Sequence, residues 1–86
     1  MLTIDDCIAL SDLTEDEIDA IAEHEHLPEM VAVELGCCLV HTTEGTRRIA
    51  RIIRDDIERA RSHGQSVHAN RLTMVLDGFV AHHTAL

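Results

Sequence analysis

Turn-forming residues are scarce in this chain, and their scarcity limits the folds open to it. The 86 residues include one proline and four glycines, so few tight turns can form. There is no Trp or Tyr, and Phe79 is the only aromatic residue, whereas sheet folds depend on aromatic and β-branched side chains. We therefore predict an all-α fold with an aliphatic core.

Helix-capping signals divide the first half of the chain into segments. Thr3 can cap a short first helix, and Thr14 begins a second helix with Glu17 three residues later, which is the capping-box spacing. Pro28 interrupts the second helix, because proline has no N–H for the helical hydrogen bond. Residues 14–40 are thus predicted to form one long helix that is kinked, or restarts, at Pro28.

Two further helices complete the predicted fold. The third begins after Thr42 or Thr43 and ends before Gly64, a residue type favoured just past a helix end. The fourth covers residues 67–83. We expect a compact bundle of three long helices plus a short N-terminal helix, forming a single domain over residues 1–86.

Residues 30–40 are apolar on nearly every side, a pattern typical of a helix buried at the centre of a fold. A chain of this length buries only about 60% of the surface that its unfolded form exposes, so it cannot easily surround such a helix. We therefore expect self-association, most simply as a homodimer.

Charge is distributed unevenly along the chain, whose net charge is −9. Eleven of the 16 acidic residues lie in residues 1–34, which contain no basic residue, whereas six of the seven arginines lie in residues 47–61. General binding to nucleic acid is disfavoured, because the acidic half would repel phosphates. Arginine suits bidentate pairing with carboxylates, so we predict a surface for a protein partner on the third helix at Arg47, Arg51, Arg54 and Arg61.

The same pattern also fits an ordinary surface held by ion pairs within the helix. Arg51 and Asp55, and likewise Arg54 and Glu58, have the i,i+4 spacing of such pairs. Asp56 leans towards the apolar face, where we expect it to pair with an arginine across the bundle.

Cysteine usage and hydropathy indicate where the protein resides. Its three cysteines are an odd number, and Cys37 and Cys38 are adjacent, so we expect reduced thiols in the cytoplasm. The first residues lack the basic start of a signal peptide, and no segment reaches the roughly 18 apolar residues of a membrane span.

A first candidate metal site lies at the end of the apolar segment. Glu34, Cys37, Cys38 and His41 are spaced to share one side of a helix, and thiolate, imidazole and carboxylate are ligands of zinc and iron. One helix cannot enclose a tetrahedral ion, so a second copy or another histidine would complete the site. The alternative is that the cysteines pack as small apolar side chains.

A second candidate metal site lies in the acidic half. Glu23 and His26 have the i,i+3 spacing of di-iron helical bundles, and Glu25 adds a third ligand. Such a site needs further ligands, which only a dimer could supply. The alternative is an exposed acidic face from which Glu25 alone points inward, towards an arginine or histidine of another helix.

Catalytic motifs are absent from the sequence: there is no phosphate-binding loop, nucleophile elbow or H-E-x-x-H segment. We therefore expect a small non-enzymatic interaction or regulatory module, a homodimer that needs no cofactor. The alternative is a bundle that binds a metal, such as zinc or iron, or a metallocofactor at a site completed across the dimer.

Overall fold

The computed structural model describes residues 3–83, apart from the side chains of Ile4 and Asp5. The prediction of an all-α fold is confirmed, since no strand occurs between residues 3 and 83. None of the helices in that range is long and apolar enough to cross a lipid bilayer. The helices are α1 (Ile4–Leu10), α2 (Glu15–Glu25), α3 (Glu29–Val40), α4 (Thr43–Ser62) and α5 (Ser66–His82).

The start of α2 is fixed by the capping box that the sequence predicts. The N–H of Glu17 donates to the Thr14 hydroxyl at 3.2 Å, and the N–H of Thr14 donates to the Glu17 carboxylate at 2.9 Å. Leu13 and Ile18, on either side of the cap, are both buried. Two backbone N–H groups at the start of α2 thereby gain hydrogen-bond partners. The buried pair of Leu13 and Ile18 fixes the angle at which the chain enters the helix.

The segment around Pro28 separates two helices instead of kinking one. α2 ends at Glu25, His26 adopts a left-handed conformation with φ 56°, and the N–H of Leu27 donates to the carbonyl of Ala22 at 3.0 Å. Pro28 stands directly before α3, where its missing N–H interrupts no helical bond. The expected bundle of three long helices plus a short one therefore becomes five helices, because the left-handed residue ends α2 before the proline.

The central helix of the fold is α4. It packs against α2, α3 and α5, and its inner side is buried along its length. The largest side chains of the core come from α2, α4 and α5, and they are Ile18, Ile21, Ile49, Ile53 and Phe79. The outer side of α4 is left facing solvent, which places its arginines at the surface.

The expectation that residues 30–40 form the buried central helix is wrong. Within α3 only Ala32, Val33 and Gly36 are buried, and Val31 is 41% exposed. A helix that is apolar all round carries no signal for which of its sides faces inward. α4, whose two sides differ sharply, takes the central position instead.

The corner between α3 and α4 brings two backbones into close contact. A Cβ atom at Gly45 would overlap the backbone of Leu39, so only glycine fits there. The N–H of Gly45 donates to the Thr42 hydroxyl at 2.9 Å, which caps α4. This corner fixes the beginning of α4 and hence the direction in which its outer side faces.

Candidate functional site

Four arginines form a row along the outer side of α4. Arg47, Arg51, Arg54 and Arg61 are all exposed, and their spacing of four, three and seven residues places them on one face of the helix. The row is about 21 Å long at the helical rise of about 1.5 Å per residue. We refer to these four residues as the arginine stripe.

The arginine stripe has no ion-pair partner among the side chains that the structure describes. The expected pairs of Arg51 with Asp55 and of Arg54 with Glu58 do not form. Asp55 lies instead 3.5 Å from Nε2 of His24, because α2 packs along that edge of α4. Four guanidinium groups are thus exposed and able to donate hydrogen bonds to carboxylates of another molecule.

Asp56, on the inner side of α4, is buried with only 3% of its surface exposed. The expected arginine partner does not pair with it, and its Oδ2 accepts no hydrogen bond from the described residues. Burial raises the pKa of Asp56 from 3.8 to about 6; His24 and Arg59 oppose this increase, and Glu23 and Asp55 add to it. The Asp56 carboxyl group is therefore about half protonated at about pH 6 and mostly ionised at neutral pH, where its charge lies inside the fold with one oxygen unpaired.

His24 is the neighbour of Asp56 that sequence reasoning missed. Its side chain is about a quarter exposed, its Nδ1 is buried without a hydrogen-bond partner in the described part of the chain, and its Nε2 faces Asp55. His24 follows the buried Ile21 by three residues, and this spacing could have placed it on the inward side of α2.

The second candidate metal set does not converge on one point, because its members have different neighbours: these residues are Glu23, Glu25 and His26. A Glu23 carboxylate oxygen lies 3.3 Å from Nε2 of His68 on α5, and Glu25 lies 3.7 Å from Arg48 on α4. His26 is exposed in the turn that ends α2. The expected partner for Glu25 from another helix is found, whereas a metal shared across a dimer stays a prediction.

The first candidate metal set lies at the end of α3. Glu34, Cys38 and His41 are exposed and Cys37 is half-buried. Nδ1 of His41 contacts the backbone carbonyl of Cys37, so Nε2 is the ring nitrogen left for another partner. Within residues 3–83, however, no three His, Cys, Asp or Glu side chains are arranged to hold a metal ion.

An open groove of about 560 Å³ runs between the start of α2 and α5. Its lining holds three acidic and two basic side chains beside apolar surface: Asp12, Asp16, Glu17, Arg71, His82, Met74 and Gly78. Met74 is 75% exposed, and a Cβ atom at Gly78 would meet nothing within 4 Å. We call this surface the acidic groove.

Comparisons with protein-family models, with characterised proteins and with solved structures return no match to this chain. Function is therefore inferred from its own surfaces. The arginine stripe and the acidic groove are two exposed surfaces of opposite charge, whereas Asp56 lies inside the fold, where a partner cannot reach it directly.

Proposed function

We propose that the protein is a non-enzymatic interaction or regulatory module that acts as a homodimer and binds an acidic segment of a protein partner on the arginine stripe. The observation that supports the acidic partner is the arginine stripe itself. Acidic residues outnumber basic ones by 16 to 7, yet four exposed arginines in one row pair with none of the described carboxylates. Glu58 is exposed on the same face between Arg54 and Arg61, so a partner that supplies carboxylates would be held mainly by Arg47, Arg51 and Arg54.

Guanidinium groups pair with phosphates as well as with carboxylates, so it is the net charge of −9 that favours a short acidic segment over a long nucleic-acid backbone. Guanidinium groups pair with carboxylates in a planar, two-pronged geometry, which gives orientation as well as attraction. A nucleic acid would approach a protein of net charge −9 against long-range repulsion. A short acidic helix or extended segment can lie along α4 and stay away from the acidic side of the molecule.

Binding of a synthetic glutamate-rich peptide tests the proposal directly. Titration calorimetry at low salt should give a saturable isotherm that weakens as salt is added. Replacing Arg51→Gln and Arg54→Gln should weaken binding roughly 2- to 30-fold, because each exposed ion pair contributes about 0.2–1 kcal/mol. Unchanged affinity in the double variant would contradict the proposal.

A control variant separates the arginine stripe from overall charge. Arg48 and Arg59 lie on α4 outside the stripe, so Arg48→Gln with Arg59→Gln removes an equal amount of positive charge. Circular dichroism verifies that losing the Arg48–Glu25 pair leaves this control folded. This control should bind the peptide nearly as well as the unaltered protein. Equal losses in the two variants would mean that net charge, and not the stripe, governs binding.

A second candidate function is metal binding at the end of α3 by Glu34, Cys37, Cys38 and His41. The observation in its favour is the contact between Nδ1 of His41 and the Cys37 carbonyl, because histidine ligands commonly bond through one nitrogen and keep the other for the metal. A second copy would have to complete the ligand set.

A further inference from the structure

The arginine stripe and the acidic groove are oppositely charged surfaces that do not contact each other within one chain. The groove is lined by residues of the α1–α2 turn, α2 and α5, and none of its lining residues belongs to α4. The stripe lies entirely on α4. One molecule therefore presents both halves of a complementary contact that only two molecules can form.

The groove retains unpaired negative charge. Asp16 binds Arg71 at 3.0 Å, whereas Asp12 has no ion-pair partner among the described side chains. The Asp16 side chain is itself 49% exposed, so one arginine does not cover it. A second guanidinium group entering the groove would find two exposed carboxylates in its lining, those of Asp12 and Asp16.

The apolar part of the groove also suits an arginine side chain. The aliphatic stem of arginine covers apolar surface while its guanidinium group pairs with carboxylates. The exposed Met74 provides such a surface, and the open space above Gly78 lets a neighbouring helix come near. A free cation would match the charge but not this apolar surface, and lysine, which covers apolar surface as well, lacks the planar fork that binds a carboxylate with two hydrogen bonds.

We infer that the acidic groove of one copy receives Arg51 and Arg54 from the arginine stripe of a second copy. The inference rests on the proposed function, because it names what covers the stripe when no acidic partner is bound. The two surfaces differ, so the contact is head-to-tail. One such contact forms the proposed homodimer, in which one stripe is covered and the other stays free for an acidic partner, and further copies can add at the free surfaces. An acidic partner competes for the stripe, and self-association thereby regulates its availability.

Two variants test the inference, each with substitutions that disrupt only one of the two surfaces. The stripe variant carries Arg51→Gln and Arg54→Gln, and the groove variant carries Asp12→Asn and Asp16→Asn. Asparagine tolerates the left-handed backbone of Asp12, whose φ is 64°. Sedimentation in about 50 mM salt should give the unaltered protein at least twice its 9.6 kDa chain mass, decreasing towards 9.6 kDa in about 500 mM salt as screening increases.

Each variant alone should remain near 9.6 kDa, because it lacks one of the two surfaces. An equimolar mixture should form a dimer of twice that mass and nothing larger, since only one intact stripe and one intact groove remain. Circular dichroism verifies that both variants are folded. A monomeric unaltered protein, association that survives in either variant, or a mixture that stays monomeric would overturn the inference.

The groove variant also separates this inference from the proposed function. Its arginine stripe is intact and no longer covered by a second copy, so it should bind the glutamate-rich peptide at least as tightly as the unaltered protein. Peptide binding without self-association would overturn the head-to-tail contact and the proposed homodimer, but not the proposed acidic partner. Self-association without peptide binding would overturn only the proposed acidic partner.

Discussion

Replacing Asp56→Asn should stabilise the protein above pH 6, although it removes a charge from the inside of the fold. Burial raises the pKa of Asp56 to about 6 in the folded protein, against 3.8 for an ordinary aspartate. A raised carboxyl pKa means that folding favours the protonated form. The contribution of the protonated Asp56 to the free energy of unfolding is therefore complete below about pH 4 and is lost as pH increases through about 6.

The magnitude follows from the two pKa values. Their separation of about two pH units corresponds to about 3 kcal/mol, at about 1.4 kcal/mol for each pH unit. Asparagine has nearly the shape of protonated aspartate and carries no charge at any pH. The Asp56→Asn variant should therefore exceed the unaltered protein by up to about 3 kcal/mol at pH 7.5 and by almost nothing at pH 3.5.

Thermal unfolding at a series of pH values measures this difference. About 3 kcal/mol should increase Tm by roughly 12–24 °C at pH 7.5 for a chain of this size. The matched control is Asp55→Asn, which removes the neighbouring exposed carboxylate and should shift stability by less than about 1 kcal/mol. If Asp56→Asn were destabilising at pH 7.5, or equally stabilising at both pH values, the reasoning about the buried carboxyl group would be refuted.

Two other predictions concern the glycines and the cysteines. Gly45→Ala should destabilise the fold by more than about 2 kcal/mol, because the methyl group would overlap the Leu39 backbone. Gly78→Ala should instead stabilise the fold by about 0.4–1 kcal/mol. Chemical denaturation measures the unfolding free energy of both variants, and similar effects on it would contradict the prediction. The metal-binding candidate predicts stoichiometric zinc or iron in untagged protein, lost in Cys38→Ser but kept in Cys7→Ser, and elemental analysis that finds no metal would remove it.

The parts of the fold that local signals determine were predictable from the sequence. The Thr14 capping box and the interruption at Pro28 depend on residues within a few positions of each other. The end of α4 likewise follows from Gly64, whose φ of 72° few other residues adopt. What the pattern at Pro28 could not give was the left-handed residue at His26, which makes two helices out of one.

Features that depend on packing between distant helices were harder to predict. The uniform hydropathy of α3 suggested a buried helix, but the central position is taken by the amphipathic α4, whose apolar side packs against α2, α3 and α5. Asp55 has a good partner at Arg51 by spacing alone, yet it faces His24, a residue 31 positions earlier in the chain. The acidic groove has no sequence signature, because it combines the α1–α2 turn with α5.

The arginine stripe illustrates both cases. Its position on one face of α4 follows from residue spacing and from the confirmed helix. That its arginines lack ion pairs within the described chain could be learned only from the structure, since the spacing itself predicted pairs with Asp55 and Glu58.

The most direct test of the proposed function is an NMR titration of the monomeric groove variant with the glutamate-rich peptide, following backbone amides and arginine side chains. We expect the largest shifts at Arg47, Arg51, Arg54 and Arg61, with little change at Arg71 or along α3. Shifts concentrated around Cys37 to His41, or no shifts at any arginine of the stripe, would contradict the proposal that α4 presents the docking surface.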